Sequence, residues 1–591
     1  MQALLRLMRF VRPYRRNAIL ALAMMIGMVI ADIAIPRLVQ RIVDQGVGRQ
    51  DMAVIVSTSL LMIGVSVIEA FLGIGNSLLA VRVARYLGAD LRSALFRKIQ
   101  TLSFGNLDRF QTGQLMVRLT SDVVHVQMLM LMFLRVFTRA PLLMVGSILS
   151  MIMISRELAL IMAVLLPIVF GLITLFATKA QPLFLRVQQR LDKLNTVLQE
   201  NLAGVRVVKA FARAAHENAR FERANVDLMS QSVQVLQLLS LLMPTITLLI
   251  NLGTVAVLWV GGRHVLTRPF TVGQLMAFVN YMLQLGFPFI MLGNMIGQFS
   301  SAGASADRIQ EVMESQPDVQ DRPEARPLPE LLGGPPRGRV TFEHVTFSYD
   351  GDSHEPVLKD INLVAEPGET VAILGTTGAG KSTLIHLIPR FYDVTEGRIT
   401  IDGVDVRDVT LDSLRMQIGI ALQEAVLFSG TIRDNIRYGR PDASDEEVIA
   451  AAKAAQAHEF ILSLPEDYDT LVGQRGVNLS GGQKQRLAIA RALLVQPRVL
   501  ILDDSTSAVD VETEAKLEAA LREMLTTRVA GNTTVFVIAQ RVSTVLNADK
   551  IVVLDQGQIA AMGKHAELLA TSPIYREIYD SQLGNGGINN G

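Results

Sequence analysis

Cysteine is missing altogether from this 591-residue chain. Disulfides and thiolate metal sites are excluded with it. The compartment is not, since cytosolic proteins need no disulfides either. An excess of either charge is also missing. Lys and Arg number 56 against 55 Asp and Glu, for a formal net charge of +1, so bulk electrostatics point to no nucleic-acid partner. Nor does the N-terminus read as a cleavable leader. Arg6, Arg9, Arg12, Arg15 and Arg16 are spread through residues 1–17, and no small-residue cleavage site follows a short apolar core. Leu4, Leu5, Leu7, Met8, Phe10 and Val11 interleave with them. That pattern suits a short amphipathic helix lying on the inner membrane face, with a frayed basic tail as the alternative.

What the chain does contain is apolar. Half of its residues are hydrophobic and its mean hydropathy is +0.35, high for a soluble protein. The length exceeds one ordinary domain. Six apolar stretches, 18–43, 53–80, 128–154, 158–178, 233–262 and 272–299, are each long enough to cross a bilayer, which takes about 20 residues. The segments 81–127 and 179–232 between them are long and rich in arginine and lysine. Positive charge collects on the cytoplasmic side, so these segments and both termini are expected there. Both have apolar residues at helical spacing. Membrane helices should therefore continue into the cytoplasm and return. About 20 extra residues would carry them roughly 30 Å past the bilayer. Residues 104–110 and 211–221 are the expected tips, placed to touch a cytoplasmic domain.

Asp32, Glu69, Arg135 and Arg139 fall within or near the apolar stretches. Charge in hydrocarbon is costly and is usually paired or faces a cavity. An ion pair between Glu69 and the two arginines is expected, with a substrate or proton contact as the sharper alternative. Met282, Phe287, Phe289, Met291 and Met295 crowd the last stretch, and methionine suits adaptable apolar surfaces.

The predicted domains are a transmembrane domain over 1–316, a linker rich in proline, glycine and charge over 317–338, and a soluble α/β domain over 339–591. In the last, the short buried strand Val371-Ala-Ile-Leu leads into Gly375-Thr376-Thr377-Gly378-Ala379-Gly380-Lys381-Ser382, with Thr383 behind it. This is a phosphate loop in its proper setting, a strand before and a helix after. Backbone N–H groups wrap the phosphates of ATP, Lys381 reaches the β and γ phosphates, and the Ser382 hydroxyl joins Mg²⁺. The later apolar strand Val499-Leu-Ile-Leu ends in Asp503, which should hold the metal directly or through water.

Between these stands Leu479-Ser480-Gly481-Gly482-Gln483, followed by Lys484-Gln-Arg486. In that place the pentapeptide resembles the signature of ATP-binding-cassette (ABC) proteins. A hydroxyl, N–H groups and the positive end of a helix make a seat for a γ-phosphate. The resemblance implies that this phosphate belongs to ATP held by the opposite subunit of a head-to-tail dimer. It also assigns Tyr349 to stacking on adenine, and Gln423 to Mg²⁺ and a link to the membrane helices. Asp510, in Ser507-Ala-Val-Asp510, falls in the loop that faces its counterpart across the dimer. Thr470-Leu-Val-Gly-Gln-Arg-Gly476 resembles the exporter loop that meets the tips, although Leu471 and Gln474 replace its usual glutamates. The whole chain is similar to a type I exporter half-transporter: an all-α, six-helix transmembrane domain with long cytoplasmic extensions, fused to a P-loop ABC ATPase domain.

Two positions depart from that pattern. Asp504 stands where a glutamate is expected and Gln540 where a histidine is expected. The shorter carboxylate retracts from the attacking water, and the amide carries no positive charge. The resemblance is therefore to the degenerate-site subunit of heterodimeric bacterial multidrug exporters. It implies a chain in the bacterial inner membrane that binds ATP well and cleaves it slowly. A second half-transporter would be its partner and hydrophobic or amphipathic compounds its cargo. A homodimeric lipid or peptide flippase and an ATP-gated channel-like subunit are the alternatives.

Overall fold

The computed structural model describes residues 2–349, 356–473, 476–505, 511–527, 533–539 and 542–583. The chain divides into two units, Met1–Gln100 with Thr112–Glu314, and Thr101–Gln111 with Ser315–Gly591.

The first unit is helical throughout. Its longest helices, Met52–Gln100, Arg156–Ala203 and Ala214–Thr267, hold 49, 48 and 54 residues. At about 1.5 Å per residue each exceeds roughly 70 Å, more than twice the hydrocarbon thickness of a bilayer. The surplus is the extension that the sequence predicts. Apolar faces at helical spacing hold the helices together. Arg156–Ala203 and Ala214–Thr267 run along each other, with Leu194, Val197 and Ala224 buried between them near the far end. The N-terminal helix Gln2–Leu7 buries Leu4 and Leu7 in a cluster with Leu87, Val126 and Ile309.

Among the described residues, five helical segments are long and apolar enough to cross a membrane, where the sequence predicts six. The last expected stretch is divided between Val272–Gln284 and Gly286–Glu314. Pro288 has no N–H to give the carbonyl of Gln284, and the flexible Gly286 stands at the break, so the helix is interrupted there. The 13-residue first piece is then too short to span alone. Met282 is buried in the core, while the side chains of Phe287, Phe289 and Met295 lie outside the described set.

Two expectations about this unit need correction. The second tip is shifted towards the N-terminus: Gly204 ends the long helix, Val205–Ala210 is a short helix, and the next helix already begins at Ala214. Phe221 is thus well inside a helix. Of the two arginines expected to pair with Glu69, only Arg139 does so, 3.8 Å away, and it lies closer to Asp32 at 2.9 Å. Arg135 is exposed and makes no ion pair among the described residues. Arg135 itself lies within a π-turn, Phe133–Phe137, and Arg139 opens the α-helix that follows.

The second unit is α/β. Its main sheet runs in the order Gln558–Gly563, Lys550–Asp555, Thr370–Gly375, Thr534–Ile538, Val499–Asp503, Ile418–Ala421. The pairings are parallel except for the first. Such strands are covered on both faces and read as unbroken apolar runs; every residue of Val499–Asp503 is buried. A four-stranded sheet, Leu358–Ala365, Val340–Phe347, Glu396–Ile401 and Val404–Asp405, is antiparallel wherever its strands pair. The expected linker is not loose. It contains the helical turn Leu328–Leu332, whose Leu328 is fully buried in the core of this unit.

Candidate functional site

Parallel sheets collect functional loops at the carboxyl ends of their strands. Thr370–Gly375 and Val499–Asp503 flank Thr534–Ile538, with Ile373 opposite Ile538 and Ile538 opposite Asp503. The phosphate loop and Asp503 therefore emerge side by side. Gly378 and Gly380 take φ of +85° and +97°, a left-handed backbone that favours glycine. Ala379 is buried beneath the loop, while Thr376, Thr377 and Gly378 form its exposed rim. The Lys381 ammonium donates to the carbonyls of Gly375 and Thr376, at 2.8 and 2.9 Å. Burial pushes the pKa of Lys381 down, against the opposing pull of Asp504 and Asp503.

The Ser382 hydroxyl donates to Asp503 Oδ1 at 3.0 Å. The other oxygen of Asp503 lies 3.3 Å from His386 Nε2. Sequence reasoning missed His386. It stands four residues after Ser382, hence on the same face of the helix, and that spacing is the signal that could have found it. Asp504 is buried in the left-handed region, with φ +47°, which Asp tolerates better than most residues. Its N–H donates to the Ile538 carbonyl at 3.2 Å. Gln423 Nε2 faces its Oδ2 at 3.4 Å. Glycine-rich backbone, a lysine, and the converging oxygens of Ser382 and Asp503 form a donor set that fits a triphosphate with a hard divalent cation.

Tyr349 is half-exposed beside the loop, and its hydroxyl lies 2.9 Å from Thr383 Oγ1. Its ring meets Tyr392 edge-on at 5.1 Å. Tyr392 in turn donates to Asp108 at 2.7 Å. Asp108 belongs to the helix Phe104–Arg109, the first expected tip, which Ser103 and Asn106 cap. The ring of Phe104 stacks on Phe391 at 4.1 Å, and Arg109 pairs with Asp318 at 2.6 Å. Burial, with Asp108 adding to it, pushes the Tyr392 phenol well above its ordinary range.

The expected signature begins a second helix, Gly481–Leu494. Ser480 accepts from the Gln483 N–H at 3.3 Å, and the Gln483 side chain accepts from the Ser480 N–H at 2.8 Å. This reciprocal cap fixes the entry of the helix. Leu479 is buried behind it, and Gly481 is exposed. Gln474, Asp510 and Gln540 lie outside the described residues.

Residues 18–289 match the family described as ABC transporter transmembrane region, and residues 358–507 match the family described as ABC transporter. An uncharacterized ABC transporter ATP-binding protein of Bacillus subtilis, YfiB, is 41% identical over 578 residues, covering 98% of each chain. An ATP-dependent lipid A-core flippase of Syntrophus aciditrophicus is 39% identical over 495 residues, 84% of this chain and 80% of that protein. Among solved structures, a bacterial Atm1-family ABC exporter with ATP bound is 29% identical. It superposes with a TM-score of 0.79 over 97% of this chain and 99% of that one.

Proposed function

This chain belongs to the ABC transporter family, as an exporter half-transporter that couples ATP hydrolysis to transport, and we propose that it is the slow-site member of a two-chain exporter. In this reading the second unit is cytoplasmic and the membrane is the bacterial inner membrane. The loop Gly375–Ser382 holds the phosphates of ATP, Tyr349 stacks on the base, and Ser382, Asp503 and Gln423 hold Mg²⁺. When bound, the ion would supply positive charge to offset that of the triphosphate. The chain's own groups orient the nucleotide and exclude water. The Leu479–Gln483 motif serves ATP held by the partner.

Asp504 carries the proposal. Its side chain is one carbon shorter than glutamate, so the carboxylate retracts by roughly 1.5 Å. A misplacement of about 1 Å can lower a rate on the order of 10²-fold. Binding contacts persist while the transition-state contact is lost. Gln540 points the same way, since an amide supplies no positive charge. ATP should dwell at this site while the site completed by the partner sets the pace. Asp504→Glu with Gln540→His, in the assembled transporter, should raise turnover at this site on the order of 10²-fold, read by single-turnover hydrolysis with the partner's site disabled. Unaltered protein turning over equally fast at both sites would refute the proposal.

Hydrophobic or amphipathic cargo is the proposed substrate class. A lipid-like cargo is favoured over peptide by the names of two relatives. One is the lipid A-core flippase. The other is a fatty acid ABC transporter ATP-binding/permease protein of Mycobacterium bovis, 40% identical over 488 residues, 83% of this chain and 75% of that protein. Labelled phospholipid and a cationic dye, tested side by side in proteoliposomes, separate flippase from drug exporter.

A further inference from the structure

A cavity of about 600 Å³ opens between the helices Arg15–Arg41 and Met52–Gln100. Leu20 and Met24 line it from the first; Gly75, Leu78, Leu79, Arg82 and Arg85 from the second, with Tyr86 at its end. The residues of the longer helix recur at three- and four-residue intervals, so they form one stripe along one face. From Gly75 to Tyr86 that stripe is roughly 16 Å long. It changes character along its length, apolar as far as Leu79 and basic from Arg82. The change coincides with the end of the apolar stretch 53–80, which is where the hydrocarbon of a bilayer gives way to headgroups.

At the upper end Met24 packs directly against Gly75, whose lack of a side chain lets the two helices approach there. A Cβ there would lie 2.6 Å from the sulfur of Met24 and drive it aside. At the lower end Arg82 and Arg85 are exposed, and among the described residues neither has a hydrogen-bond or ion-pair partner. Tyr86 is held by stacking on Tyr14, with ring centroids 5.2 Å apart. The nearby carboxylate of Asp90 is engaged by the Tyr14 hydroxyl at 2.8 Å. The chain thus presents an apolar slot that ends at two arginines at headgroup depth.

We propose that this cavity binds an anionic phospholipid, its acyl chain along Leu20, Met24, Leu78 and Leu79 and its phosphate between Arg82 and Arg85. A guanidinium is suited to phosphate, which it can grip through two parallel hydrogen bonds. A zwitterionic lipid would fill the same slot but bring its own compensating cation. A free phosphate would find the arginines but leave the slot empty. The leaflet involved is the cytoplasmic one on the topology proposed above. The site itself requires only a bilayer boundary at Arg82, whichever way the chain is inserted.

The test is native mass spectrometry of the full-length transporter, purified in detergent with equal amounts of phosphatidylglycerol and phosphatidylethanolamine. Phosphatidylglycerol should be retained preferentially. Each arginine near an anionic headgroup contributes about fivefold, so Arg82→Gln with Arg85→Gln should lower the preference by roughly 30-fold. Leu79→Trp, which fills the slot and keeps both arginines, should also displace the lipid. Arg9→Gln with Arg12→Gln removes the same charge from the N-terminal segment and should leave retention unchanged. Glycerol 3-phosphate should not compete. The proposal is overturned if the Arg82 and Arg85 double variant retains phosphatidylglycerol as the unaltered chain does. It is equally overturned if the Arg9 and Arg12 control loses as much, if the filled slot binds normally, or if glycerol 3-phosphate alone displaces the lipid. All of these readouts are independent of ATP turnover, so they stand or fall apart from the slow-site proposal.

Discussion

Replacing Phe104 by alanine tests how the tip helix Phe104–Arg109 is held. The ring stacks on Phe391 at 4.1 Å with 22° between the planes. It remains 38% exposed, so about three-fifths of it is covered. Truncating a fully buried phenylalanine costs about 3–5 kcal/mol, and the covered share scales to about 2–3 kcal/mol. That amounts to a shift of roughly 30- to 150-fold between the held and released states of the segment. The amides of Leu107 and Phe110 donate to the carbonyls of Ser103 and Asn106 within the tip, so hydrogen exchange reports the released population directly. Exchange in a peptide covering 101–111 should accelerate by that factor in Phe104→Ala, while nucleotide affinity stays the same. Transport per ATP hydrolysed should fall with it. Exchange within about threefold of the unaltered protein would show that the ring contact does not hold the tip, and the reasoning would fail.

Tyr349→Ala should weaken ATP binding by about 5- to 150-fold, the loss of one base stack at about 1–3 kcal/mol, whereas Tyr349→Phe, which loses only the bond to Thr383, should bind within a few-fold of normal by calorimetry. Arg139→Gln leaves Asp32 and Glu69 without their cation and should lower the melting temperature in detergent; the triple change with Asp32→Asn and Glu69→Gln should restore it, because the apolar setting penalises unpaired charge rather than missing charge. Acid should destabilise the ATPase domain. Arg437 and Arg433 hold Asp445 below the ordinary carboxylate range, and Arg407 holds Asp405 there despite its burial. Depressed folded-state values mean stabilisation that is complete above the ordinary carboxylate pKa and is lost as pH falls through the depressed one. Thermal melts should therefore fall with pH below about 4, and less steeply in Asp445→Asn.

The parts of this molecule that were legible in the sequence are those whose chemistry is local. The strand leading into Gly375, the lysine at 381 and the cap at Ser480 are each written within a few consecutive residues, and the extended helices are written in their apolar periodicity. Contacts joining distant segments were not legible. Nothing near Phe104 announces Phe391, and nothing near Tyr392 announces Asp108. His386 was overlooked because a histidine four residues past Ser382 reads as an ordinary helix position until Asp503 is placed beside it. The pairing of Arg139 without Arg135 depends on where Asp32 and Glu69 fall on two other helices, which nothing beside either arginine announces. The break after Gln284 was foreshadowed by Gly286 and Pro288, but the surrounding apolar run hid it.

The cap at Ser480 has one more consequence. Its hydroxyl oxygen is occupied as an acceptor by the Gln483 amide, yet a hydroxyl also carries a hydrogen, and that hydrogen is not used by the cap. The accepted bond fixes the rotamer of the side chain and leaves the hydroxyl hydrogen to be given elsewhere. A helix entry held this way keeps its shape without help from anything bound to it.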